Sequence, residues 1–192
     1  QNLLADEGER HTLLETDADL AGLPESVRAG AAADAETRGF KGKWLIANTR
    51  SSVEPFLTYS TRRDLREKVW RTFVNRGDNG DARDNNAIIG EILQLRSRRA
   101  QLLGFPTHAH WRLQESMART PERAMQLMEA VWKPAVGRVH EEVADMQAIA
   151  DREGAGIRIE PWDYRHYAEK VRVAKYALDN NELKPYLQLE KL

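Results

Sequence analysis

Five histidines are the first residues in this chain whose chemistry asks for an explanation. His140-Glu141-Glu142-Val143-Ala144 opens like His-Glu-x-x-His. In that zinc motif two histidines four apart share a helix face, and the glutamate between them activates a metal-bound water. Here Ala144 stands where the second ligand belongs, so His140 reads as an ordinary, partly solvated helix residue. His108 and His110 are two apart and on a helix diverge onto different faces, which favours capping or surface roles over a shared metal. His166 lies among Tyr164, Arg165 and Tyr167, where a proton-transfer role is the disfavoured reading. His11 belongs to a polar N-terminal segment and has no constellation around it.

Other chemistries fare no better. Ser26, Ser51, Ser52, Ser60, Ser97 and Ser116 sit in no Gly-x-Ser-x-Gly elbow, and there is no phosphate loop or Gly-x-Gly-x-x-Gly. Glu141 and Glu142 are adjacent on a helix and point apart. Arg96-Ser97-Arg98-Arg99 invites a phosphate reading. The favoured one is a solvated helix end whose cations complement the dipole, with no aromatic platform beside it. Trp44, Trp70, Trp111, Trp132 and Trp162 are read as anchors of core and interface. From the residues themselves we assign no catalytic, cofactor-binding or metal-ligating position.

The elements that would carry these residues are mostly helical. Pro24 suits the first turn of a helix that stops at Gly39. Leu65, Val69, Trp70 and Phe73 mark a second helix from Arg62 to Arg76, with the loop Gly77-Asp78-Asn79-Gly80 after it. Ile88, Ile89, Ile92, Leu93 and Leu95 give a broad apolar face to a third, from Asp84 to Leu103, ended by Gly104. Thr107 caps a short helix carrying Trp111, Leu113 and Met117. Thr120-Pro121-Glu122 starts a long helix to about Arg152, with a kink expected at Pro134. Pro161-Trp162-Asp163 opens a last helix to about Lys175, and Asn180, Asn181 and Pro185 interrupt the C-terminal stretch. Lys43 to Asn48 is the one strand candidate and needs a partner, either within the chain or outside it. The expected architecture is mainly α, one helical region over 1–192 without an internal linker, with one short strand near 43–48.

Composition bounds the rest. The 192 residues are 41% hydrophobic and 31% charged, with a net charge of −1 and no cysteine. This excludes a disordered tail, a disulfide scaffold and thiol chemistry, and gives no basic footprint for nucleic acid. No apolar run is long enough to span a membrane. The chain opens Gln1-Asn2-Leu3 without methionine and closes on Leu187-Gln188-Leu189-Glu190-Lys191-Leu192, which reads as a processed or truncated product.

Several blocks in fixed order carry a resemblance. They are Leu102-Leu103-Gly104-Phe105-Pro106, His110-Trp111, Met117-Ala118-Arg119-Thr120-Pro121-Glu122 and Gln147-Ala148-Ile149. Glu160-Pro161-Trp162-Asp163, Tyr167-Ala168-Glu169-Lys170-Val171-Arg172 and Leu183-Lys184-Pro185-Tyr186-Leu187 continue them, with Lys43-Trp44-Leu45-Ile46 and Asp84-Asn85-Asn86-Ala87-Ile88-Ile89 upstream. Over residues 15–189 the series resembles the bacterial peptidyl-dipeptidases of the thimet-oligopeptidase family of zinc metallopeptidases. That resemblance implies two helical lobes flanking a channel, and a parent enzyme that removes C-terminal dipeptides from short peptides. It also implies zinc in the parent, in a helix downstream of Leu183-Lys184-Pro185-Tyr186, so no ligand or catalytic residue transfers to this chain. The segment is therefore expected to be inactive, to bind no zinc, and to have no nucleic-acid or membrane partner. The compartment implied is the cytoplasm, with the periplasm as the alternative. An independent helical binding or scaffold module is the rival reading. Trp44, Leu45 and Ile46 on an unpaired strand, with Tyr186, Leu187 and Leu189, are expected to be exposed and to drive self-association.

Overall fold

The computed structural model describes residues 1–176 and Tyr186. Helices dominate: α1 (Asn2–Glu9), α2 (Glu25–Thr37), α3 (Arg50–Tyr59), α4 (Arg63–Val74), α5 (Asn86–Leu102), α6 (His108–Leu113), α7 (Pro121–Arg152) and α8 (Tyr164–Tyr176). Two strands, β1 (His11–Leu14) and β2 (Trp44–Ala47), form an antiparallel sheet in which His11 faces Ala47 and Leu14 faces Trp44. The expected mainly α architecture with a short strand is what the chain adopts. Its stops are the expected ones at Gly39 and Gly104, with φ of 84° and 79°. Each lets a backbone N–H turn back onto the helix: Phe40 N donates to Ala35 O at 2.8 Å, and Phe105 N to Ala100 O at 2.9 Å.

The chain divides into two compact units. One contains residues 1–6 and 75–141, the other residues 7–74 and 142–192.

The second unit holds the main core. Leu14, Leu20, Leu23, Ala31, Ile46, Val53, Phe56, Leu57 and Val69 pack together, with Trp44, Leu65, Trp70 and Phe73 against them. A smaller cluster of Met146, Ile149, Ala150 and Tyr167 joins the end of α7 to α8. Here the sheet corrects the sequence reading. The strand finds its partner inside the chain, and Leu45 and Ile46 are buried, not exposed. Of the C-terminal side chains expected at the surface, Tyr186 is exposed. Leu187 and Leu189, like the expected break at Asn180, Asn181 and Pro185, lie outside the described residues. Four residues of His-Thr-Leu-Leu are too short for a clear alternation, so β1 carried no signal of its own. The α3 helix, unexpected because Pro55 lies inside it, forms because Val53, Phe56 and Leu57 share one buried face.

In the first unit the only apolar side chain that becomes fully buried among the described residues is Ala100. Asp6 is buried and organises the turn after α4. It accepts the Gly77 N–H at 2.8 Å and the Asn79 side-chain amide at 2.9 Å, with Arg83 at 3.9 Å. Ile88, Ile89, Ile92, Leu93 and Leu95 of α5 and Leu127, Val131 and Trp132 of α7 remain exposed. Among the described residues this unit therefore closes no large apolar core of its own, and Trp132 stays exposed. Two further expectations shift. Met117 lies beyond the end of α6 and is fully exposed, and α7 is a single helix through Pro134.

Leu45→Ala tests the corrected strand. Leu45 is fully buried between α2 and the sheet, so truncation is expected to cost about 2–5 kcal/mol in denaturant unfolding. A loss under about 0.5 kcal/mol, the usual cost of an exposed substitution, would return the strand to the surface.

Candidate functional site

The densest polar arrangement in the second unit is an arginine–aspartate node, and the sequence reading did not single it out. Asp163 stands at the N-terminus of α8, where its backbone carbonyl accepts from Tyr167 N at 3.0 Å. Its carboxylate is completely buried and receives two guanidinium groups from α4. Arg66 Nη2 donates to Oδ1 at 2.7 Å, and Arg63 Nη2 donates to Oδ2 at 2.9 Å. Arg63 Nε donates as well, at 3.1 Å, and Glu160 N adds a backbone donor at 3.2 Å. Arg66 is itself buried, and its other donors end on Ser60 O at 2.8 Å and Trp162 O at 3.2 Å. Two positive charges and a backbone amide thus satisfy one buried carboxylate, the condition under which such a charge is tolerated. The hydrogen bond to Asp163 holds the Arg63 pKa above its ordinary value, against the desolvation that opposes it.

Aromatic packing closes the node. The Trp162 ring meets Trp70 edge-on at 5.7 Å and lies under the guanidinium groups of Arg63 at 5.5 Å and Arg71 at 5.1 Å. A signal for Arg66 was present in the sequence. It falls on the stripe of Val69 and Phe73, at spacings of three and seven, where a charge must be buried and therefore paired.

His166 lies beside this node. It is buried, its Nδ1 is 3.1 Å from Thr58 O, and its ring meets Tyr167 edge-on at 5.2 Å. Desolvation, then the charges of Arg66 and Lys170, push its pKa down to about 4. At neutral pH the ring is uncharged and held by a backbone carbonyl and by packing.

The other residues weighed for chemistry stay apart. His140 is exposed on α7. His110 contacts Thr107 Oγ1 at 2.8 Å and Glu122 at 3.9 Å, a local cap. His11 lies against Phe40 with ring centroids 5.3 Å apart. Among the described residues no three His, Asp or Glu side chains converge as metal ligands, so the residues present do not fit a zinc ion. A groove of about 460 Å³ between α2, β2 and α3 is lined by Ser26, Ser51 and Ser52. Ser52 Oγ accepts the Ala47 N–H at 3.1 Å, Ser51 Oγ is 3.2 Å from Thr49 Oγ1, and no histidine lines the groove to act as base. One expectation is overturned: an aromatic platform does stand beside the arginine run, because Arg99 lies 4.4 Å over the Trp111 ring.

Comparisons with known proteins place the chain that carries this node in a family. The model of Peptidase family M3 matches residues 56–192. The chain belongs to peptidase family M3. Within that family it is 38% identical over 189 residues to the dipeptidyl carboxypeptidase of Escherichia coli, covering 98% of this chain and 28% of the relative. It is 34% identical over 183 residues to oligopeptidase A of Salmonella typhimurium, covering 93% and 27% respectively. A probable cytosolic oligopeptidase A of Arabidopsis thaliana is likewise 34% identical, over 91% of this chain and 26% of its own length. The chain therefore spans about a quarter of the length of the M3 relatives it matches. Among the described residues no helix is long and apolar enough to cross a membrane.

Two measurements probe the node and its neighbour. Asp163→Asn leaves Arg66 buried without its counter-charge and is expected to cost about 3–5 kcal/mol in urea unfolding; a cost below about 1 kcal/mol would show that Asp163 is not buried against it. For His166 the folded pKa lies below the unfolded value near 6.5, so the unfolded state binds more protons between these values. Stability is then fully present above pH 6.5 and is lost as pH falls toward about 4, by roughly 2–3 kcal/mol in total. Subtracting the profile of His166→Gln from that of the unmodified chain should isolate this slope, and identical profiles would refute it.

Proposed function

We propose that this chain is a non-catalytic helical part of a zinc metallopeptidase that removes dipeptides from the carboxy termini of short peptides. The alignment with dipeptidyl carboxypeptidase, which runs through nearly the whole chain, is the observation that supports the reading. In it, the parent protein works on soluble peptides in the cytoplasm, and its zinc is held by residues beyond those present here. The 1–192 stretch forms part of a larger peptidase domain. Its contribution is architectural: α3, α4 and α8, tied by the Arg63–Asp163 and Arg66–Asp163 pairs, give a rigid wall on which the rest of the protein is built. The exposed apolar side chains of α5 and α7 favour this over an independent scaffold module, since a self-sufficient module covers such faces.

The test separates the activities of the two kinds of relative. The full product of the reading frame that encodes this chain is expected to release carboxy-terminal dipeptides from a blocked tripeptide, with loss of turnover on chelation. Cleavage at internal bonds without dipeptide release would refute the dipeptidase reading. A reading frame that encodes no His-Glu-x-x-His would refute the peptidase reading as a whole and favour the scaffold module.

The 192-residue chain by itself should release no dipeptide and should keep no zinc after dialysis, because none of its histidines is paired at ligand spacing. One tightly held zinc per chain, or chelator-sensitive turnover, would contradict this.

A further inference from the structure

The arginine run of α5 is unlike the other arginine clusters in this chain. Arg62, Arg63, Arg66, Arg165 and Arg172 all donate to carboxylates. Among the described residues, none supplies a carboxylate or another hydrogen-bond acceptor to Arg96, Arg98, Arg99 or Arg112. Two of these are nevertheless held in place. The Arg99 guanidinium lies 4.4 Å over the Trp111 ring and that of Arg112 lies 5.4 Å from it. A cation–π contact fixes a guanidinium through its face and leaves its in-plane N–H donors unused. Arg99 and Arg112 are thus positioned, solvent-facing and undercommitted.

His108 provides an independent observation. Its ring packs against Trp111 with centroids 5.5 Å apart, and its Nδ1 is shielded from solvent without a hydrogen-bond partner. Desolvation, then the charges of Arg96, Arg99 and Arg112, lowers its pKa, so three arginines act on this one ring. Like charges gathered around an unsatisfied polar atom are relieved by an anion.

We infer that Arg99 and Arg112, organised around Trp111, form with Arg96, whose charge reaches the adjacent His108 ring, a binding site for the carboxylates of a peptide. A planar carboxylate matches the two-pronged donor edge of a stacked guanidinium. Nucleic acid fits less well. The Trp111 ring already carries two guanidinium groups, which leaves it poorly placed to stack bases, and the chain's net charge of −1 provides no wider track for phosphates. The inference does not depend on the peptidase reading.

Fluorescence anisotropy on the 192-residue chain tests it with four labelled probes. These are an amidated glutamate-containing peptide, a neutral peptide with a free carboxy terminus, the same neutral peptide amidated, and a single-stranded oligonucleotide. At least one of the first two is expected to bind, weakening as salt rises, and the neutral amidated peptide is not. Binding of the first alone assigns side-chain carboxylates, and binding of the second alone assigns the terminal one. Arg99→Gln combined with Arg112→Gln should weaken binding about tenfold or more. Arg138→Gln, a control at an exposed arginine paired with Glu141, should leave it unchanged. An unaltered circular dichroism spectrum establishes that the double variant is folded, and Arg96→Gln provides a milder second variant expected to weaken binding in the same direction. The inference is overturned if neither carboxylate peptide binds or if the neutral amidated peptide binds equally well. It is also overturned if the folded arginine variants bind like the parent chain, or if the oligonucleotide binds more tightly than either peptide.

Discussion

A buried carboxylate has to be answered by positive charge, and in this chain that requirement joins residues about a hundred positions apart. Asp163 begins α8, Arg63 and Arg66 belong to α4, and the contact between them excludes water completely on the aspartate side. Once Arg66 is committed to Asp163, its remaining donors can reach the Ser60 and Trp162 carbonyls, and so fix the turn after α3 and the turn before α8 together. The Trp70–Trp162 contact and the seat of His166 on the Thr58 carbonyl result from the same placement. A pair of this kind adds little net stability over a well-packed apolar replacement. Its value is positional, because a misplaced partner leaves a bare charge in the core.

This geometry gives physical content to two of the sequence blocks that carried the family resemblance. Pro161-Trp162-Asp163 supplies the acceptor and the aromatic ring of the node, and Tyr167 packs in the cluster beneath it. The first unit is organised differently, around the buried Asp6 and with most of its large apolar side chains in solvent.

Long helices were legible because their apolar positions recur over three or more turns and their ends carry punctuation: Gly39, Gly104, and Thr120 before Pro121. Short elements were not. The β1 strand has only four residues, and α3 contains a proline that argues against a helix until the burial of Phe56 and Leu57 outweighs it. Burial of the strand Trp44–Ala47 was misjudged because its partner lies some thirty residues upstream, a distance over which local pattern has no reach. In the site, His140 could be set aside from spacing alone, whereas Arg66 and Asp163 could not be matched without knowing which helices meet. Arg99 over Trp111 escaped for a related reason: the intervening turn at Gly104 folds α6 back toward α5, and linear proximity to an aromatic was the wrong measure.

The central claim is that Arg66 and Asp163 act as one unit, and a double-mutant cycle measures that directly. Arg66→Leu, Asp163→Leu and the combined variant are compared with the parent chain by urea unfolding monitored through tryptophan fluorescence. The account predicts a coupling energy of about 2–3 kcal/mol, with the double variant more stable than either single one, because removing both charges leaves neither stranded. Losses that add to within about 0.5 kcal/mol would mean the two residues are energetically independent and would contradict it.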